Sequence, residues 1–470
     1  MAFVVYKRFG KQEYAYEMES YRDPETKKPK HKQKYLGVVV NKEMGVYEKR
    51  RTPAHKQERQ ILDYGDTYML SEIMKGMPIY AVLQRVFGVW FETLITLVFH
   101  RITGGTAMCY AENWYVGNYI SQLFPNAKVT SQDISRFLAY LGNESVQRAF
   151  FAAYIPTVCK DKSGVVIDST GLPNEINMSV TDWGHHNGGI EKETRLILAI
   201  EKEAERPLYF RYVAGNIGDV STLANTIDEM KRNGITTAHA LIDAGYFSQS
   251  NLTMLFESHI SFLIRMPSNR AIFKNIIRQN TDIESLEYAV KYNKRGLFVK
   301  ENEMDIYGKK AYAYLVLDPE RRGREISKLV SELDESETAP TNIDFSNCGK
   351  FVLLSSEKLD TAEVIPLYYT RQIAERMFSI AKDDLNILPL RTHSEPNFKG
   401  FMLLVFISLI LCCDIKSRLG NKTTIEKALS ILKILKCKVY DDSVVPNEVT
   451  KKQRLLLELA NVVVPKTCGA

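Results

Sequence analysis

The run Gly164-Val165-Val166-Ile167-Asp168-Ser169-Thr170 constrains this chain more than any other stretch. A continuous apolar segment bounded by polar residues reads as a short strand covered on both faces, because a strand with one wet face alternates instead. Such a strand belongs inside a sheet flanked by helices, so an α/β fold is expected. The strand ends on a carboxylate. Ala240-Leu241-Ile242-Asp243 repeats the arrangement and is followed by Ala244-Gly245-Tyr246-Phe247. Either aspartate alone reads as a turn former, because Asp after a strand commonly makes an Asx-turn. Two strand-end acids together open a second reading, in which a third acid completes a site for hard divalent cations.

The third acid lies in PLYYTRQIAERMFSIAKDDL, which contains Tyr368, Arg371, Glu375 and Lys382. At roughly 100° per residue these four side chains fall within about 60° of one helical face. Ile373, Met377 and Ile380 fall on the opposite side, where a core would be. Any amphipathic helix sets charges opposite its apolar stripe, so the helix means little without Asp168 and Asp243. With them, three carboxylates supply oxygen ligands suited to Mg2+ or Mn2+. A pair of such ions activates a nucleophile and stabilises a leaving oxygen in phosphoryl transfer.

The residues resemble those of a known family. Asp168, Asp243 and Glu375 match the acidic triad of the DDE transposases of bacterial insertion sequences. Tyr368, Arg371, Glu375 and Lys382 match the YREK signature of one large group of them. Ala214-Gly215-Asn216-Ile217-Gly218-Asp219 before a helix, and Leu388-Pro389-Leu390-Arg391 before a long apolar helix, extend the match. The resemblance implies a ribonuclease H-like catalytic core interrupted by a mostly β insertion. It implies that Asp168, Asp243 and Glu375 are catalytic and bind two Mg2+ ions, for which Mn2+ can substitute. Tyr368, Arg371 and Lys382 would be DNA-binding, contacting phosphates near the scissile bond. The implied reaction is metal-dependent cleavage of DNA ends and strand transfer, commonly through a hairpin on the element end. The implied partners are double-stranded DNA with terminal inverted repeats, target DNA, and a second copy of the chain on that DNA. The alternatives are a ribonuclease H-like nuclease without strand transfer and an inactive DNA-binding descendant.

At 470 residues the chain is too long for one core. The strand and helix patterns suggest a β-rich arm over 1–60 and a helical, possibly DNA-binding region over 61–160. The first part of the catalytic core follows over 161–270, with strands at 164–168, 194–201, 207–213, 238–243 and 260–265. A β insertion at 271–349, with a glutamate-rich loop from Glu332 to Thr338, precedes the second part at 350–418. Terminal helices and a tail occupy 419–470. One or two hairpins are expected in the arm.

The net charge of +6 is only mildly basic, so any DNA contact depends on local patches. Lys27, Lys28, Lys30, Lys32 and Lys34, with Lys49, Arg50 and Arg51, form the best patch, although charge runs are more often solvated faces. The seven cysteines show no CxxC spacing and fit a reducing cytoplasm. The longest apolar run, Phe401 to Cys413, is shorter than the ~20 residues of a membrane span. A soluble protein is expected. Gly104-Gly105 lacks a following GK[ST], so no nucleotide cofactor is indicated. His185-His186 lack further spaced zinc ligands and read as a surface loop. Trp183, Tyr246 and Phe247 could stack on a displaced base, but aromatics more often fill a core.

Overall fold

The computed structural model describes residues 2–9, 12–24, 27–49, 58–104, 107–159, 164–186, 189–334, 345–392 and 394–466. Residues 1–60 with 438–444 form one compact unit, and 61–437 with 445–470 form another. The regions expected at 61–160, 161–270, 271–349 and 350–418 are therefore parts of a single unit.

The smaller unit holds four strands, Ala2–Phe9, Gln12–Arg22, Pro29–Asn41 and Val46–Glu48, paired in chain order. Each neighbour pair is antiparallel, giving one more hairpin than the most the sequence suggests. Lys34 and Lys32 stand opposite Glu17 and Glu19 on the neighbouring strand. Lys34 pairs with Glu17 at 3.9 Å and Lys30 pairs with Asp23, so the lysine patch is partly neutralised. Arg50 and Arg51 lie outside the described residues.

The larger unit is built on a sheet of ten strands. From one edge the order is Ala289–Tyr292, Arg295–Ile306, Lys309–Leu317, Lys350–Ser355, Ser261–Met266, His239–Ile242, Gly164–Pro173, Gly189–Glu201 and Asp182–His186. Arg206–Ala214 also pairs with Gly189–Glu201. The strand His239–Ile242 is parallel to both of its neighbours. Val165, Val166 and Ile167 are wholly buried, as their unbroken apolar run requires.

Two expectations about 271–349 need correction. Helices Ala271–Gln279 and Pro319–Asp334 occupy much of it, so it is mixed rather than mostly β. Its three strands continue the main sheet through pairing of Lys309–Leu317 with Lys350–Ser355. The start of the expected glutamate-rich loop, 332–334, is the end of a helix; 335–338 lie outside the described residues. His185 and His186 also end a strand rather than sit in a loop.

Helix Glu395–Leu419 is 25 residues long and apolar on all sides, long enough to cross a bilayer. Here it is a central core helix, with its residues from Gly400 to Cys412 all buried. It packs against Ser131–Leu141, whose N-cap Thr130 accepts a hydrogen bond from the Asp133 N–H. A Cβ on Gly400 would lie 1.8 Å from the Leu138 carbonyl oxygen, so only glycine allows this crossing. Phe406 also meets Phe150, Phe151, Tyr154 and Phe210 with ring centroids 5.1–6.4 Å apart. Burying each such ring is worth about 1.5–3 kcal/mol, which welds the helical region to the sheet.

Candidate active site

The register of two parallel strands sets the first two acids side by side. Ile242 pairs with Ile167, so Asp243, just past the end of its strand, stands level with Asp168, which lies within the strand Gly164–Pro173 rather than at the end expected at 168. Neighbouring strands lie about 4.8 Å apart, close enough for both carboxylates to reach one partner.

That partner is Arg371. Its Nη1 lies 3.2 Å from Asp168 Oδ2 and 3.3 Å from Asp243 Oδ2, while Nη2 lies 3.4 Å from Glu375 Oε1. One guanidinium thus gathers three acids from two strands and a helix. Arg371 is largely buried; burial pulls its pKa down, and Asp243 and Asp168 overrule this and raise it. Asp168 is also largely buried, and desolvation pushes its pKa up to about 7 against the opposing effect of Arg371. Asp243 and Asp219 raise it further, whereas the Ser169 N–H, donating to Asp168 Oδ1 at 2.9 Å, lowers it. Glu375 is the exposed member, with 60% of its side chain accessible.

The expected single helix is interrupted. Thr361–Tyr369 contains Pro366, Thr370 and Arg371 form a turn, Gln372–Ser379 resumes the helix, and Ile380–Asp384 is a π-helical turn. The widened turn buries Ala381 and leaves Ile380 only half-buried, which shifts the face predicted from regular periodicity. Lys382 Nζ still reaches the acid strand and donates to Thr170 Oγ1 at 2.7 Å. Burial lowers its pKa, with Glu193 and Asp383 opposing. Tyr368 is buried rather than presented on an open face. Its ring lies 5.9 Å from Arg371 Cζ and packs beside Phe351, which positions the guanidinium. Tyr369 stacks on Tyr292 at 5.0 Å and ties the helix to the edge strands.

Behind the acids lies a charged layer to which the sequence reading assigns no role. Ser169 Oγ donates to Asp219 Oδ1 at 2.7 Å, and Arg195 Nη1 donates to the same oxygen at 3.0 Å. Arg195 Nη2 reaches Glu193 Oε1 at 3.1 Å, and Glu193 is wholly buried. The available signal was the recurrence of Glu193 and Arg195 two residues apart, on one face of a strand whose far end is apolar. Gly215 faces this layer: a Cβ there would come within 2.5 Å of the Asp182 carbonyl and 2.7 Å of Glu193 Cγ. Tyr246 and Phe247 are buried core residues, which removes the base-stacking alternative for them. Trp183 is exposed, with Lys192 Nζ 5.6 Å from its ring centroid.

Among the described residues no three His, Cys, Asp or Glu side chains form a ready metal cluster; the triad is gathered around Arg371 instead. The donor set still fits a divalent cation. It is all carboxylate oxygen, and it already converges on one positive charge.

Residues 160–411, more than half of the chain, match the family model for the transposase DDE domain, and the chain belongs to that family. No curated protein sequence matches it significantly. Among solved structures, the cryo-EM piggyBac transposase synaptic complex with hairpin DNA is similar, with a TM-score of 0.42 and 10% identity. The match covers 84% of this chain and 75% of that one.

Proposed function

We propose that this chain is a transposase of the YREK group of bacterial insertion sequences, acting in the cytoplasm on the DNA ends of its own element. The observation that carries the reading is the convergence of Asp168, Asp243 and Glu375 on Arg371 from distant points in the sequence. In this reading the parallel strands and their flanking helices are a ribonuclease H-like core, and 271–349 is its insertion.

Asp168, Asp243 and Glu375 would hold two Mg2+ ions. When bound, these ions would activate the attacking oxygen and stabilise the leaving one. The residues themselves do the rest. Arg371 offsets part of the acids' charge in the free protein. Once the acids are otherwise compensated, its planar fork is released to grip a phosphate bidentately. Lys382, held at the acid strand by Thr170, supplies a point charge to a neighbouring phosphate. Tyr368 supports Arg371 from beneath and can offer its hydroxyl to the same strand. Nicking exposes a 3′-hydroxyl, which then serves as nucleophile at the same site for joining to target DNA. Holding two ends at once calls for a homodimer on DNA.

The test incubates purified protein and Mg2+ with DNA carrying the element's terminal inverted repeats and a target plasmid, with products resolved on denaturing gels. Nicked ends followed by joined products are expected. Cleavage of bound ends without any joined product would replace this reading with a nuclease.

A further inference from the structure

Apart from the acid cluster, the structure contains a second concentration of charge, and it has only one sign. Arg101, on the helix Phe91–Gly104, is only 6% exposed. Its Nη2 donates to the Asn386 carbonyl, and its guanidinium lies 5.1 Å from the centroid of the Phe401 ring. Its Nε has no hydrogen-bond partner, and no carboxylate pairs with it, among the described residues. The deeply placed Arg195 and Arg371 differ, since each holds an aspartate or glutamate.

Arg101 instead has Arg391 as its charged neighbour. Burial and that second arginine lower its pKa to about 10. Arginine stays ionised in proteins, so burying it without a counter-charge is costly, and a second guanidinium adds repulsion. Both line a cavity of about 840 Å³ with Ser131, Ser135, Asn397 and Thr392, and no acid among the described residues lines it. Thr392 is buried, and its hydroxyl has no partner among the described residues. Two guanidinia, hydroxyls and an amide around an open volume make a site for a tetrahedral oxyanion.

We propose that the Arg101–Arg391 cavity is a phosphate subsite that receives a backbone phosphate of a DNA strand leading away from the acid cluster. The cavity shares Pro389, Leu390 and Thr392 with an adjoining one of about 470 Å³, lined also by the segment from Pro173 to Asn177, whose one acid, Glu175, is exposed to solvent. Pro173 ends the strand that carries Asp168. Five steps of extended chain, roughly 16 Å, separate them, so the paired cavities extend from the acid strand as a trough. An elongated polyanion fits a trough better than an isolated ion does. The missing counter-charge arrives with the strand.

This inference rests on the DNA reading above, and its test separates the two. The full chain is titrated with a fluorescent duplex of arbitrary sequence over a range of salt, because phosphate contacts carry no sequence information. Arg391 is exposed, so Arg391→Ala is a mild change; Arg101→Met keeps the buried volume. Each should weaken binding about tenfold and reduce the log–log salt slope by about one. Each should leave melting temperature equal to or above wild type, since each removes an uncompensated charge, whereas a merely structural Arg101 would lower it on substitution. Wild type that binds duplex no better than Arg391→Ala, with the same slope, overturns the inference and leaves the transposase reading standing. Wild type that binds no duplex overturns both. Thermal stabilisation by inorganic pyrophosphate that Arg391→Ala abolishes, with duplex binding unchanged, assigns the cavity to a free phosphate and overturns the strand assignment.

Discussion

The N-terminal sheet and the main sheet handle charge in opposite ways. On the first, Lys34 faces Glu17, Lys32 faces Glu19, and Lys42, in the turn after its strand, reaches Glu13 at 3.1 Å, all of them open to solvent. Pairs in that setting contribute at most about 1 kcal/mol each, and their partners remain solvated. On the second, three carboxylates share one largely buried guanidinium, and one of them is desolvated enough to hold its proton near neutrality. The first arrangement matches charges where water already relieves them. The second gathers like charges around a single guanidinium and takes one of them, Asp168, largely out of water, an arrangement that favours chemistry over stability.

The sharpest way to break this contrast is Asp243→Ala. Cleavage of end-containing DNA should fall by about 10³-fold or more while binding of the ends persists. Near-normal cleavage would reduce the acid cluster to another set of ion pairs.

The second prediction concerns the stability given up at the site. The pKa of Asp168 is raised in the folded state, to about 7 from an ordinary value of 3.8. Its contribution to stability is therefore fully present below about pH 4 and is lost as pH rises through about 7. With metal chelated, Asp168→Asn should be more stable than wild type at pH 8 by about 2–4 kcal/mol, and the gap should close toward pH 4. Urea denaturation at several pH values measures this, and equal stability at pH 8 would contradict a desolvated carboxylate.

A smaller effect is expected behind the acids. Asp219→Asn weakens the acceptor shared by Ser169 and Arg195, so cleavage should drop by about 10–100-fold with DNA affinity unchanged. Raising Mg2+ should restore part of the rate, which a loss of folding would not permit. The smallest effect belongs to the exposed sheet. Lys34→Ala should change unfolding free energy by less than about 0.5 kcal/mol. A loss of several times that would show that the two sheets differ less than their solvation implies.

What the sequence made legible follows the same division. Asp168 and Asp243 could be read because each ends an apolar run, where a carboxylate is conspicuous, although the strand bearing Asp168 continues to Pro173. Glu375 could be read because its neighbours repeat at helical spacing. The break at Thr370–Arg371 and the π turn at 380–384 could not, because both depend on packing around Pro366 and Ala381 rather than on periodicity. The helix Pro319–Asp334 was hidden by its polarity, and its glutamates read as a loop. Glu193 and Arg195 resemble the solvent-facing positions of any alternating strand, and only the tertiary fold encloses them. Arg101 sits in a sequence read as an ordinary packed helix, with nothing local to announce a missing counter-ion.

The contact between Arg371 and Asp168 spans 203 residues of chain. During synthesis, a ribosome that has released the strand bearing Asp168 still has the whole of 174–370 to translate before Arg371 exists. Glu375 follows four residues later, and the core helix Glu395–Leu419 later still. A growing or prematurely terminated chain therefore exposes acids without the groups that complete their site. If the proposed function holds, a chain terminated before Glu375 would carry the two aspartates without the means to cut DNA.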